Sequence, residues 1–185
     1  MQNRQDHDEL VHLEESTVPH LLIFGYGNPS RGDDALGPLL LERLKEHFDE
    51  KPRSIEAIEL LTDFQLQIEH VLDLVNRDLV LFVDAHVSCP SPYSFQLLLE
   101  KFDASYTSHA LSPEAILWVY QQINGQSPPP SFLLSIRGEG FELGDGLSRK
   151  AQDNLDAAVA FTLDLFENPN LGYFRQQCTV SGSCS

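Results

Sequence analysis

The sequence predicts a three-layer α/β/α sandwich around a mostly parallel sheet of about five strands. Short apolar runs alternate with segments of helical periodicity, as they do in repeated β-α-β units. Leu79–Val83 (LVLFV) is apolar without interruption, as a strand buried on both faces must be. Leu21–Gly37 (LLIFGYGNPSRGDDALG) links an apolar run to a helical pattern through a loop containing Gly25 and Gly27.

The elements follow in order. Leu21–Phe24 forms the first strand, and Leu36, Leu40, Leu44 and Phe48 mark the apolar face of the helix after the loop. Pro52 closes that connection, and Ile55–Leu61 (IEAIELL) reads as the second strand. Thr62 and Gln65 have capping-box spacing ahead of a helix with Phe64, Ile68, Val71, Leu72 and Val75 on its buried face. The third strand, Leu79–Val83, ends on Asp84. A strand at Tyr93–Glu100 follows after a loop too short for a parallel crossover, so it is expected to be antiparallel and near an edge. Ser112, Pro113 and Glu114 supply cap, first-turn proline and first-turn acid for a helix to Ile123. Phe132–Ile136 is the last strand. A glycine-rich loop leads from it to a final helix capped by Ser148, with Ala151, Leu155, Ala158, Val159, Thr162 and Phe166 inward. Residues 1–20, polar and acidic, are expected to form a mobile arm. Residues 21–167 make one α/β domain, and 168–185 an irregular tail.

Charge narrows the function. With 12 basic and 28 acidic residues the net charge is −16. That argues against a nucleic-acid or anionic-membrane surface, and suits an enzyme with a protein, cationic or metal-bearing partner. No stretch approaches a membrane span, and no basic region followed by an apolar run marks the N-terminus. Cys89, Cys178 and Cys184 are too few and too irregular for a disulfide framework, so a reduced cytoplasmic setting is expected.

The first loop is not a dinucleotide site. Gly25 and Gly27 are followed by Asn28, Pro29 and Ser30 where the fingerprint needs a third glycine. Asp33 and Asp34 put negative charge where a pyrophosphate would lie. The loop suits a cation, with one Asp acting as a helix cap and the second left without a task. In open parallel sheets, sites gather at the carboxyl ends of the strands, so Asp34 and Asp84 should face each other there. With His109 they form a hard-to-borderline ligand set suited to nickel, zinc, iron or manganese. Each also has an ordinary explanation: Asp84 as a strand-end cap, His109 as a loop histidine. H-E-x-x-H, G-x-S-x-G and Walker patterns are absent. His86 reads as a surface residue, and Cys89 lacks any nucleophile signature.

GYGNPSRGDDALG, FVDAHVS and SHALSPEAIL, in that order, resemble the nickel–iron hydrogenase maturation endopeptidases, and IRGEGFELGDGLS is similar to that family's loop before its last helix. The resemblance runs from about Leu21 to Phe166. It implies a phosphorylase/hydrolase-like fold and a peptide-bond hydrolase, of aspartic type by family grouping. Such an enzyme clips the C-terminal extension from a hydrogenase large-subunit precursor once nickel is inserted. By position, Asp34, Asp84 and His109 would contact the substrate's nickel, with Asp34 or Asp84 as general base and no resident cofactor. Gly27, Asn28, Asp33, Gly138 and Gly140 would contact substrate, the amides of the later glycine-rich loop pairing with an extended peptide. A cytoplasmic monomer is expected. The competing reading is a nickel-binding chaperone or sensor that uses the same ligands without cutting.

Overall fold

The computed structural model describes residues 19–50, 57–101 and 111–179. The expected acidic arm lies almost wholly outside them. Strands β1 (Leu21–Tyr26), β2 (Ile58–Asp63), β3 (Leu79–His86), β4 (Tyr93–Leu97) and β5 (Ser131–Arg137) form one sheet in the order β2-β1-β3-β5-β4. All pairings are parallel except β4 with β5, which is antiparallel at the edge, as the short connection required.

Alternation along the central strands sorts the core into two layers. Leu21 and Ile23 of β1, with Leu79, Leu81 and Val83 of β3, pack under helices α1 (Leu36–Glu50) and α3 (Arg149–Glu167). Leu22, Phe24, Val80 and Phe82 face the other way, against α2 (Pro113–Asn124) and a 3-10 helix at Ile68–Leu74. Helices on both faces of the sheet complete the three layers.

Helix α1 lies on the sheet backbone to backbone. A Cβ added at Gly25 would sit 2.6 Å from the Gly37 carbonyl oxygen, and one added at Gly37 would sit 2.5 Å from that of Tyr26. Gly37, inside the helix, provides the close helix–strand approach for which the loop itself has no third glycine.

Three expectations are corrected. The helix drawn through Phe64 to Val75 is a seven-residue 3-10 helix, capped by a Gln67–His70 box rather than by Thr62 and Gln65. Val71 and Leu74 are buried while Phe64, Ile68 and Leu72 are exposed. The third strand does not stop at Val83. β1 pairs with it only as far as Gly25–Val83, but β5 continues through Asp84–Ser135 to His86–Arg137.

The tail, finally, is not irregular throughout. α4 (Leu171–Gln177) is capped by the Asn170 side chain, and its Phe174 is fully buried, with its ring 5.3 Å from Phe132 and 6.1 Å from Phe95. Among the described residues no helix is long and apolar enough to cross a membrane. Phe174→Ala should therefore cost about 3–5 kcal/mol in urea denaturation, as large-to-small changes in a packed core do. A loss below about 1 kcal/mol would mean that α4 is not part of the core.

Candidate functional site

The chain leaves β1 towards β2 on one side and later β3 towards β5 on the other, so the strand order reverses between β1 and β3. Such a switch point opens a crevice at the carboxyl edge of the sheet. The β1–α1 loop enters it from one side and Asp84 of β3 from the other.

Gly27 starts the loop at φ 142°, and a Cβ there would fall 2.0 Å from the Asp34 carbonyl oxygen, so only glycine fits. Its amide donates to the Asp63 carbonyl of β2 at 3.1 Å. The Asn28 amide donates to Asp34 Oδ2 at 2.9 Å, while Asn28 Oδ1 accepts from the Ser30 amide. Asp34 is thus held by one loop amide and remains half-buried.

Asp33, its neighbour, does something different. It is fully buried, and its carboxylate accepts from the amides of Glu139 (2.7 Å), Gly140 (3.0 Å) and Ser148 (2.7 Å) and from the Ser148 hydroxyl (2.8 Å). Burial alone would raise its pKa, but these donors together hold it below the ordinary carboxylate value. Neither acid caps α1: both lie in the 3-10 turn Gly32–Ala35 that precedes it, and that turn has no side-chain cap.

This arrangement corrects the substrate-binding assignments for Asp33, Gly138 and Gly140. Asp33 has no surface to offer a peptide. The Gly138 amide donates to the His86 carbonyl, and that of Gly140 to Asp33. Further along, the Gly144 amide donates to the Ser30 carbonyl, and the Gly140 carbonyl accepts from the Asp33 amide. The loop is laced to the β1–α1 turn, so these amides are not free to pair with an extended peptide.

Asp84 is half-buried on the α2 face of the sheet. Burial raises its pKa to about 7; the Ala85 amide and the Tyr26 hydroxyl pull it down, and the nearby Asp34 charge pushes it up. Asp34 and Asp84 therefore come together as the sequence predicts, in a crevice where two negative charges are poorly compensated. The structure adds Tyr26, whose hydroxyl faces Asp84 and whose pKa is driven well above its usual value by burial and then by Asp84. Glu114, in the first turn of α2, also acts on Tyr26. No sequence pattern singled Tyr26 out, since its place depends on the β1–β3 register.

His109 lies outside the described residues. Among those described, no three His, Cys, Asp or Glu side chains form a group able to hold a metal ion. His86 is exposed, with Nδ1 accepting from the Ser88 amide at 3.1 Å. Cys89 is buried, burial pushes its thiol pKa up, and its Sγ contacts the Ser135 carbonyl, which leaves it unsuited to act as a nucleophile.

In open α/β sheets, ligand-binding sites gather at such switch points. Solved structures similar to this one include hydrogenase maturation proteases. One is a NiFe hydrogenase maturation protease, HycI, from Thermococcus kodakarensis, with TM-score 0.61 and 22% identity over 83% of this chain and 96% of that one. Another is the hydrogenase maturating endopeptidase HybD from E. coli, with TM-score 0.62 and 21% identity over 82% and 94%. A third is an endopeptidase from Escherichia coli, with TM-score 0.60 and 25% identity over 80% and 93%. No protein-family model matches the sequence, and no curated protein matches it significantly. The fold is that of the hydrogenase maturation proteases, as the motifs implied.

Asp33 and Asp84 should respond to pH in opposite senses. The folded pKa of Asp84 lies above its unfolded value, so the folded state keeps a proton the unfolded chain has released. Stability on this account falls as pH rises from the ordinary 3.8 to about 7, and is level above. Asp84→Asn should stabilise the protein by an amount that grows across that window, at most roughly 1.4 kcal/mol per pKa unit. Asp33 is the reverse: its contribution is present above the unfolded carboxylate pKa and is lost as pH falls through its lower folded value. Asp33→Asn should lose about 2–4 kcal/mol at pH 7, because a neutral amide cannot accept from four donors. Urea denaturation of both variants at several pH values checks this; parallel pH profiles would refute it.

Proposed function

We propose that this chain is an endopeptidase that removes the C-terminal extension of a nickel–iron hydrogenase large-subunit precursor after nickel insertion. The observation that carries the reading is the juxtaposition of Asp34 and Asp84 in a crevice short of positive charge, within the fold of the HycI and HybD proteases. A cation relieves their repulsion and restores the charged form of Asp84. In this reading the cation is the nickel of the precursor. Asp34, Asp84 and His109 bind it as part of the substrate, and Gly27 and Asn28 line the approach.

His109 enters through its motif, SHALSPEAIL, and through chain proximity. Glu114, which acts on Tyr26 beside Asp84, follows it closely in sequence and opens the helix that leads into this face of the sheet.

The chemistry is hydrolysis of one peptide bond. Water attacks the carbonyl carbon, and a carboxylate accepts the water's proton while the oxyanion is stabilised electrostatically. The same proton then passes to the amide nitrogen as the C–N bond breaks, releasing a carboxylate and an amine. Asp34 or Asp84 is the carboxylate that takes this proton. Asp34, held by the Asn28 amide, stays aimed at the cation. No serine or cysteine nucleophile is required.

A gel of large-subunit precursor, with and without nickel, tests the reading. The expected result is a size shift in the nickel-loaded lane alone, abolished by Asp34→Ala, Asp84→Ala or His109→Ala while each variant keeps its thermal transition. Tight binding of loaded precursor with no cleavage would point instead to a nickel-binding chaperone. Full processing by a folded single variant would remove that residue from the site.

A further inference from the structure

Tyr26 is the last residue of β1 and the second of the GYGN motif. Strand alternation puts it on the same side of the sheet as Leu22 and Phe24, and puts Asp84 on that side with Val80 and Phe82. β1 and β3 pair at Gly25 and Val83, so Tyr26 and Asp84 are the next residues out on neighbouring strands. The phenol ring is braced. Phe24 meets it edge-on at 6.4 Å, and Phe24 is itself backed by His70 at 4.7 Å and by Phe82 at 6.2 Å. His70 in turn is fixed by Asp63 at 3.2 Å through Nε2 and by the Gln67 amide at Nδ1. A row of packed rings thus carries the Tyr26 hydroxyl to the Asp84 carboxylate, with Glu114 beyond.

We propose that Tyr26 is the positioning residue of this site, its hydroxyl donating to one oxygen of Asp84 so that the other is turned towards the reacting side of the crevice. This rests on the endopeptidase reading given above. The torsion that aims a carboxylate is broad and nearly two-fold, so Asp84 needs an outside donor to choose an orientation. A phenol carries one hydrogen and offers it in one direction. The contrast with Asp33 is direct: four donors lock that group, while Asp84 has no such cage among the described residues. Outer partners that orient a ligating side chain are worth about 10–100-fold in affinity or activity.

Tyr26→Phe removes the hydroxyl and keeps the ring stack. The expected result is a fall of about 10–100-fold in kcat/KM towards nickel-loaded precursor, with the thermal midpoint moved by no more than about 2 °C. A second measurement needs no substrate. Urea midpoints of Tyr26→Phe, Asp84→Ala and the double variant should be non-additive, since the hydroxyl acts through that carboxylate. Wild-type kcat/KM in Tyr26→Phe, or additive midpoints, would overturn the proposal. Should the wild-type protein leave loaded precursor uncut, the endopeptidase reading fails by itself, and the midpoint cycle still decides whether Tyr26 holds Asp84.

Discussion

The structure of the site depends on one buried anion. Asp33 has no exposed surface, yet it stays charged because three backbone amides and a hydroxyl converge on its two oxygens. Removing an ion from water is costly unless its lone pairs are met, and here all four donors come from the segment between β5 and α3. The donors at Glu139, Gly140 and Ser148 belong to a loop that would otherwise have no fixed relation to the β1–α1 turn. Backbone bonds from Gly32 to Asp145 and from Gly144 to Ser30 reinforce the seam. Ser148 also caps α3, so the same hydroxyl that donates to Asp33 fixes the start of that helix.

Once the turn is pinned, the position of Asp34 follows. It is the next residue, its carboxylate takes the Asn28 amide, and Gly27 lets the backbone fold close enough for that contact. Asp84 reaches the same crevice from β3 because β1 diverges one residue earlier. Asp33 and Asp84 therefore show opposite physics on one sheet edge. Asp33 is saturated with donors and remains an anion, whereas Asp84 is desolvated with little compensation and titrates near neutrality. The first arrangement builds a scaffold and the second leaves a group ready to gain a cation or a proton.

Much of this was legible in the sequence, for identifiable reasons. Uninterrupted apolar runs such as Leu79–Val83 can only be central strands, and a loop of a few residues can only reverse a strand, so sheet composition and the antiparallel edge followed directly. What escaped depended on partners far along the chain. Asp33 and Asp34 are the same residue type side by side. Nothing local distinguishes them, because the donors that make one structural lie 106 to 115 residues away. The amides of Gly138 and Gly140 looked free for the same reason. The segment Phe64–Val75 has an apolar pattern that fits a 3.6-residue period, but only seven residues are helical and they follow a tighter one. α4 is too short to show any period, and the burial of Phe174 among Phe95 and Phe132 is decided by tertiary packing alone.

The central claim is that these acids divide into a structural anion and a poised, underpaired one. It is tested most directly by following the side-chain carboxyl carbons of Asp33 and Asp84 by NMR as pH is varied in the purified protein. The account predicts that Asp84 titrates at about 7 and that Asp33 stays ionised below the ordinary carboxylate value of 3.8. Two ordinary titrations near 3.8, or a raised value at Asp33 in place of Asp84, would contradict it.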